Sequence, residues 1–182
     1  IYNEFSIDDL QISTKEIKLN DLILLVRSFK NSTELFLLDK IIKDGLLRAD
    51  IKLKFEDSGK ISDDYKINGF IRNTKFNFFN KFIVKNLNLE FNIDKKEYLF
   101  SKIKANFNDL EVSSSLIEVV EKKNLFFIKG IVLTEEKNFN KNQLNILFNS
   151  FFKDLGIEEA KLSSVNNFFF NINKKLKVND LN

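Results

Sequence analysis

The sequence predicts a mainly β protein: a curved antiparallel β-sheet meander or groove, with helical insertions near residues 20–44 and 140–155. Three observations carry this reading. Apolar and charged residues alternate strictly from Leu47 to Glu56. The same alternation returns several times, separated by short polar turns. Apolar residues take up helical spacing in only two regions.

In the first of these, Leu22, Leu25, Val26 and Phe29 share one helical face, after Asn20 and Asp21 as cap candidates. Leu35, Leu38, Ile41 and Ile42 repeat the spacing, with Gly45 as a C-terminal stop. The sheet then begins. Leu47, Ala49, Ile51, Leu53 and Phe55 alternate with Arg48, Asp50, Lys52, Lys54 and Glu56. A residue's side chain changes face at every step along a strand, so this is a strand with one apolar and one wet face. Asp57, Ser58, Gly59 and Lys60 supply the turn.

Tyr65, Ile67 and Gly69 lead to Phe76 and Phe78 through a change of phase near Ile71, the mark of a bulge or bend. Leu87, Leu89, Phe91 and Ile93 form the next strand, closed by a tight turn at Asp94, Lys95 and Lys96. Ile103, Ala105 and Phe107 follow, then a turn at Asn108 and Asp109. Leu110, Val112, Ile117 and Val119 continue the series, as does the stretch Leu125 to Leu133. Leu144, Leu147, Phe148, Phe151 and Leu155 have helical spacing and end at Gly156. Phe168, Phe170 and Ile172, then Leu176 and Val178, close the chain with strands. Sequential strands joined by short turns imply an antiparallel meander. The expected layout of residues 1–182 is therefore a helical insert (20–44), a sheet of long strands (45–134), a helix (140–155) and further strands (157–182).

Composition excludes several chemistries. The 182 residues contain no His, Cys, Pro, Met or Trp. Without His there is no imidazole acid or base and no Ser-His-Asp triad. Without Cys there is no thiolate nucleophile, disulfide or cysteine-bound metal. The charge is +3 with mixed signs along the chain, and only three of the 29 basic residues are Arg. Lys, Asn, Ile and Phe abundance follows AT-rich codon usage, so the Lys content is not by itself a binding patch. Leu22–Val26 is an apolar run far below the ~20 residues that span a bilayer. The start at Ile1 points to an internal segment or a processed product.

Few motifs survive inspection. Ser101-Lys102-Ile103-Lys104 and Ser150-Phe151-Phe152-Lys153 match Ser-x-x-Lys, but their companion motifs are missing. Ser113-Ser114-Ser115 reads as strand or bulge. Acidic neighbours such as Asp63 and Asp64 read as solvated turns. The aromatic and basic string from Lys75 to Phe82 is the best candidate for a single-strand nucleic-acid platform, yet a half-buried strand gives the same string. No catalytic residue, metal ligand or cofactor is expected, and the chain reads as a non-enzyme. Weak echoes join Lys66–Ile71 with Phe127–Val132, and Phe91–Lys96 with Phe170–Lys175, at unequal spacing.

The apolar face is the sequence's main physical problem. At roughly nine residues per strand and about 3.3 Å each, the sheet is about 30 Å wide and one whole face must be covered. A second layer or the two helical regions can close it into a core. Alternatively the sheet curls and holds an apolar ligand. On the second arrangement the candidate lining residues are Leu47, Ala49, Ile51, Leu53, Phe55, Leu87, Leu89, Phe91, Ile93, Ile103, Ala105 and Phe107.

Ala49–Phe55 running into Ser58-Gly59-Lys60, Tyr65–Ile71, Leu87–Ile93 and the return at Leu162–Phe170 resemble the AsmA-like family of the Gram-negative envelope (AsmA/TamB/YhdP type). The resemblance implies a segment of a larger, inner-membrane-anchored periplasmic protein with a β-groove. That groove would accommodate phospholipid acyl chains moving between inner and outer membrane, and so support outer-membrane integrity. It implies as partners acyl chains and other segments of the same parent chain, not nucleic acid. It brings no catalytic signature.

Overall fold

Ten strands hydrogen-bond into a single antiparallel sheet that does not close on itself. The computed structural model describes residues 8–29, 36, 39–78, 82–107, 110–123, 125–148, 156–173 and 178–181. In chain order these form β1 (Asp9–Ser13), β2 (Ile17–Lys18), α1 (Leu19–Phe29), β3 (Ile42–Lys54), β4 (Lys66–Phe78), β5 (Phe82–Asp94) and β6 (Glu97–Phe107). They continue with β7 (Leu110–Lys122), β8 (Leu125–Asn140), a second helix α2 (Lys141–Phe148), β9 (Glu159–Asn173) and β10 (Val178–Leu181). The spatial order is β1-β3-β4-β5-β6-β7-β8-β9-β10, with β2 also on β3. From β3 to β9 each strand pairs with its sequence neighbour, as short turns between alternating segments require.

Most expected elements lie where the alternation puts them. Glu56 N–H donates to Lys60 O and Gly59 N–H to Glu56 O, closing the turn after β3. Gly59 has φ +75°, which an unbranched backbone reaches freely. The β5–β6 turn is made by Lys95 and Lys96. The Asn108–Asp109 turn lies outside the described residues.

Several expectations are corrected. Helix α1 begins at Leu19, so Asn20 and Asp21 lie inside its first turn rather than ahead of it. Its buried face is Leu19 and Ile23, whereas Leu25 is 56% exposed. The helical insert does not run to residue 44, because β3 starts at Ile42. Gly45 is therefore a strand residue and no helix stop. There its φ of +143° and contact with Thr74 answer to a bulge. Strands are also longer than nine residues: β4 and β5 have 13 and β8 has 16.

Bulges explain that length. Register shifts interrupt β3–β4 between Ile42 and Leu46, β4–β5 between Ile71 and Phe76, and β5–β6 between Lys85 and Glu90. Positive φ at Asn73, Asn86 and Lys102 marks the displaced residues. A bulge bends its strand and switches the phase of alternation, so a strand continues where a simple period-two reading ends it. The phase change near Ile71 is this feature at Asn73. Further shifts fall between Ser113 and Ile117 and between Thr134 and Lys137, so the bulges cross the sheet from β3 to β8. Ser114, in the triple-serine run, is buried at one of them and donates its hydroxyl to Leu116 O.

The helices sit at the margins. Leu19 and Ile23 of α1 pack on Ile42, Leu47, Ile71 and Phe76. Phe76 thereby joins packing, as the core reading of the Lys75–Phe82 string requires; residues 79–81 of that string are outside the described set. Helix α2 starts from a reciprocal cap: Gln143 N–H donates to Asn140 Oδ1 and Asn140 N–H to Gln143 Oε1, at 3.0 and 3.1 Å. It meets β8 and β9. Residues 149–155, the rest of the expected helix, and Ser150 with its Lys153 lie outside the described residues.

Candidate functional site

One face of the sheet is largely apolar, and cross-strand register shows that it is one face. Directly opposed residues project to the same side of a sheet. Strand β9 keeps unbroken register with β8 from Leu125–Asn173 to Thr134–Ser164, so it serves as a ruler. Phe168 and Ser164 lie on one side of it, opposite Gly130 and Thr134. These in turn oppose Ile117 and Val112 of β7, which oppose Phe100 and Ala105 of β6. Phe100 opposes Phe91, Phe91 opposes Gly69, and Gly69 opposes Ala49. The chain of pairs runs from β9 to β3 without changing side.

The structure thus brings the sequence-expected lining residues together. Leu47, Ala49, Ile51 and Leu53 alternate on β3, and Phe55 continues them in a bridge to Ile61. Leu87, Leu89, Phe91 and Ile93 occupy β5, beyond the bulge at Asn86. Ile103, Ala105 and Phe107 follow the bulge at Lys102 and oppose Ser114, Val112 and Leu110. Of the twelve, Ala49, Phe91 and Ala105 are buried and the rest are half-buried.

Two hollows indent this face. One, of ≈ 370 Å³, lies beside α1 and is lined by Leu22, Leu47, Ala49, Ile51, Ile67, Ile71, Phe91, Ile93 and Phe100, with Thr14 and Ile17 at its rim. The other, of ≈ 360 Å³, lies near α2 and includes Leu110, Val112, Val132, Phe139 and Leu162. Sequence reasoning left out Ile67, Ile71, Phe100, Val112 and Val132. Their signal was present, since each alternates within its own strand, but the bulges hide that β4, β7 and β8 share a face with β3.

Among the described residues, little covers the face. Leu10 and Ile12 of β1 oppose Leu53 and Ile51 on this side, and each is 41% exposed. Among the described residues, α1 packs on β2, β3 and Ile71 and Phe76 of β4 at one margin, and α2 meets β8 and β9 at the other.

The opposite face is charged at the β3–β6 end. Lys66–Asp94 and Lys102–Glu90 bridge neighbouring strands there at 2.8 and 2.9 Å, and Lys129–Glu118 bridges β8 and β7 at 2.8 Å. At one corner, Asp64 accepts from Lys54 at 2.6 Å and lies 3.4 Å from Lys95. The hydrogen bond from Lys54 holds the Asp64 carboxyl below its ordinary range, and the same bond raises the Lys54 ammonium. Tyr98, on the apolar face opposite Ile93 and Val119, has its phenol raised, first by burial. Ser101 and Lys104 of the Ser-x-x-Lys match oppose Glu90 and Asn88, and Lys102 pairs with Glu90. Among the described residues no cluster of acidic side chains could hold a metal ion, and no helix is long and apolar enough to cross a membrane.

Fold and face together define a class: an open, all-antiparallel sheet with one largely apolar face, interrupted by Ser114, Thr134, Ser164 and Asn166 toward β9. No protein-family model, curated protein or solved structure compared with the chain matches it.

Proposed function

We propose that this chain is a non-enzymatic lipid-accommodating segment whose apolar sheet face receives phospholipid acyl chains. In this reading it belongs to a larger AsmA-like envelope protein, tethered to the inner membrane, that carries phospholipid across the periplasm toward the outer membrane. The observation that supports it is the apolar face running from β3 to β9 with helices only at its margins. An acyl chain needs no directional partner. It gains about 0.8 kcal/mol for each methylene it buries, and a sheet of Leu, Ile, Val and Phe offers that surface at every point. The ion-paired groups of the opposite face hydrate its β3–β6 end, while Leu99, Leu116, Ile131, Leu133, Val165 and Phe169 stand exposed on that same face toward β9.

Native mass spectrometry of the purified chain, followed by lipid extraction, tests this. Phospholipid should co-purify and should be lost in Leu89→Asp, with the variant still folded. Leu89 is half-buried at the centre of the face, opposite Ile71. In an open face its carboxylate stays wet, whereas in a closed core it would be buried unpaired and the variant would unfold. A lipid-free protein that unfolds on this substitution would instead mean a scaffolding domain with a covered core.

A further inference from the structure

Strand β9 leaves a long edge of the sheet open. Its far side pairs with β10 only at Phe170, Asn171 and Ile172. Among the described residues, nothing pairs with that side of residues 159–169. At about 3.4 Å per residue this is an edge of about 35 Å. Soluble proteins blunt such edges with Lys, Pro, bulges or short strands, because unpaired N–H and C=O groups template another strand. Here Glu159, Lys161 and the β8 bulge opposite Leu162 guard only the start of the edge, and the devices are missing from the rest. From Leu162 to Asn173 there is no charged residue, and the chain has no Pro. The register with β8 is unbroken from Ser164 to Asn173. Val165 and Phe169, beside the edge, are 68% and 42% exposed. At the other end of the sheet, β1 is a five-residue strand that begins with Asp9.

We propose that residues 159–169 pair antiparallel with the same residues of a second copy of this chain, extending the sheet through a two-fold axis. The edge is self-complementary. In full overlap Ser164 lies on the axis, Glu159 faces Phe169 and Lys161 faces Asn167, so no like charges meet. A two-fold normal to the sheet keeps even-numbered residues of both copies on the same side, so Ala160 and Phe168 meet across the seam and the apolar face continues into the partner. A self-matching patch of this kind is what a closed dimer requires. The β10 pairing at Phe170 fixes where the overlap stops. This inference is independent of what the apolar face binds.

The test uses the cysteine-free chain. Ser164→Cys places two thiols opposite one another in full overlap, and Val165→Cys does so one residue out of it. Directly opposed strand residues have Cα atoms about 4.5–5.5 Å apart, within disulfide range. Mild oxidation should convert one of these variants to a covalent dimer and leave Lys104→Cys, in mid-sheet, monomeric. Sedimentation across a concentration series should show a reversible dimer of the unmodified chain. Val165→Lys, which sets two ammonium groups beside the axis, should weaken it at least tenfold while circular dichroism stays unchanged. A monomer at every concentration would overturn the proposal. So would a dimer that survives Val165→Lys with neither cysteine crosslinking, or one broken by Leu89→Asp alone, which would place the contact on the apolar face.

Discussion

Phe91 lies over Gly69 on the adjacent strand: a Cβ built at Gly69 would come within 2.6 Å of the ring's Cζ and 2.1 Å of Arg48 O. The two residues are directly opposed in the β4–β5 register. The arrangement recurs where Phe168 covers Gly130, with Cζ 2.8 Å from the position of an added Cβ. In both pairs an aromatic ring shields the backbone of a residue that has no side chain to pack. Gly69→Ala should therefore push both the ring and the β3 backbone. Overpacking of this kind costs about 1–3 kcal/mol. Urea unfolding should show a lower midpoint with an unchanged slope, and Gly59→Ala, whose added Cβ meets nothing within 4 Å, should cost less than Gly69→Ala.

The bulge residues make a second prediction. Asn73, Asn86 and Lys102 hold φ of +52°, +53° and +52°. Left-handed backbone costs an L-residue roughly 1–2 kcal/mol, with Asn penalised less and Gly not at all. Lys102→Gly should stabilise the protein by about 0.5–1 kcal/mol, despite loss of the exposed pair with Glu90. Lys102→Val should destabilise it, because a β-branched side chain resists this φ. Thermal unfolding of the three proteins should rank Gly above Lys above Val; any other order would mean that β6 does not bulge at this residue.

How far the sequence discloses the fold turns on these same residues. The break near Ile71 was visible because Ile67, Gly69 and Ile71 fall on odd numbers and Phe76 on an even one. The break at Lys102 was just as real, with Tyr98 and Phe100 even and Ile103, Ala105 and Phe107 odd, but Lys102-Ile103-Lys104-Ala105 alternates so cleanly that it masks the shift. Asn86 is harder, since a polar residue before Leu87 fits the expected pattern with or without a bulge. Helix α1 was misphased for a different reason. Apolar residues at 19 and 22–26 fall on most sides of the helix, and packing on β3 and β4 selects Leu19 and Ile23 for burial. Alternation fixes side within a strand, whereas side between strands depends on register, so the lining residues expected from sequence omit Ile67, Ile71, Phe100, Val112 and Val132.

The cap of α2 makes the third prediction. Asn140 and Gln143 satisfy each other's backbone donors at the junction where β8 ends. Asn140→Ala should cost about 1 kcal/mol, and amide exchange should accelerate first in α2. Gln143→Ala should give a smaller loss in the same amides. The double variant should cost less than the sum of the two, because either single change already breaks the reciprocal box.

The corner at Asp64 sets the pH response. Its folded carboxyl titrates below the unfolded value because Lys54 hydrogen-bonds to it first, with the charges of Lys54 and Lys95 adding to that. Stability from a depressed carboxyl is present above the unfolded pKa of about 3.9 and is lost as pH falls through the folded value. Lys54 works in the other direction. Its raised ammonium contributes below about 10.4 and is lost as pH rises through the folded value. Asp64→Asn removes both contributions at once. The variant should therefore be less stable than the parent through the neutral range. The difference should shrink in acid below about pH 4 and in alkali above about pH 10. Equilibrium urea unfolding across that span measures it. Because Lys54 is exposed and Asp64 half-exposed, the effect should also weaken in high salt. A gap between the proteins that held constant from acid to alkali would mean that Asp64 contributes by shape alone and not by its charge.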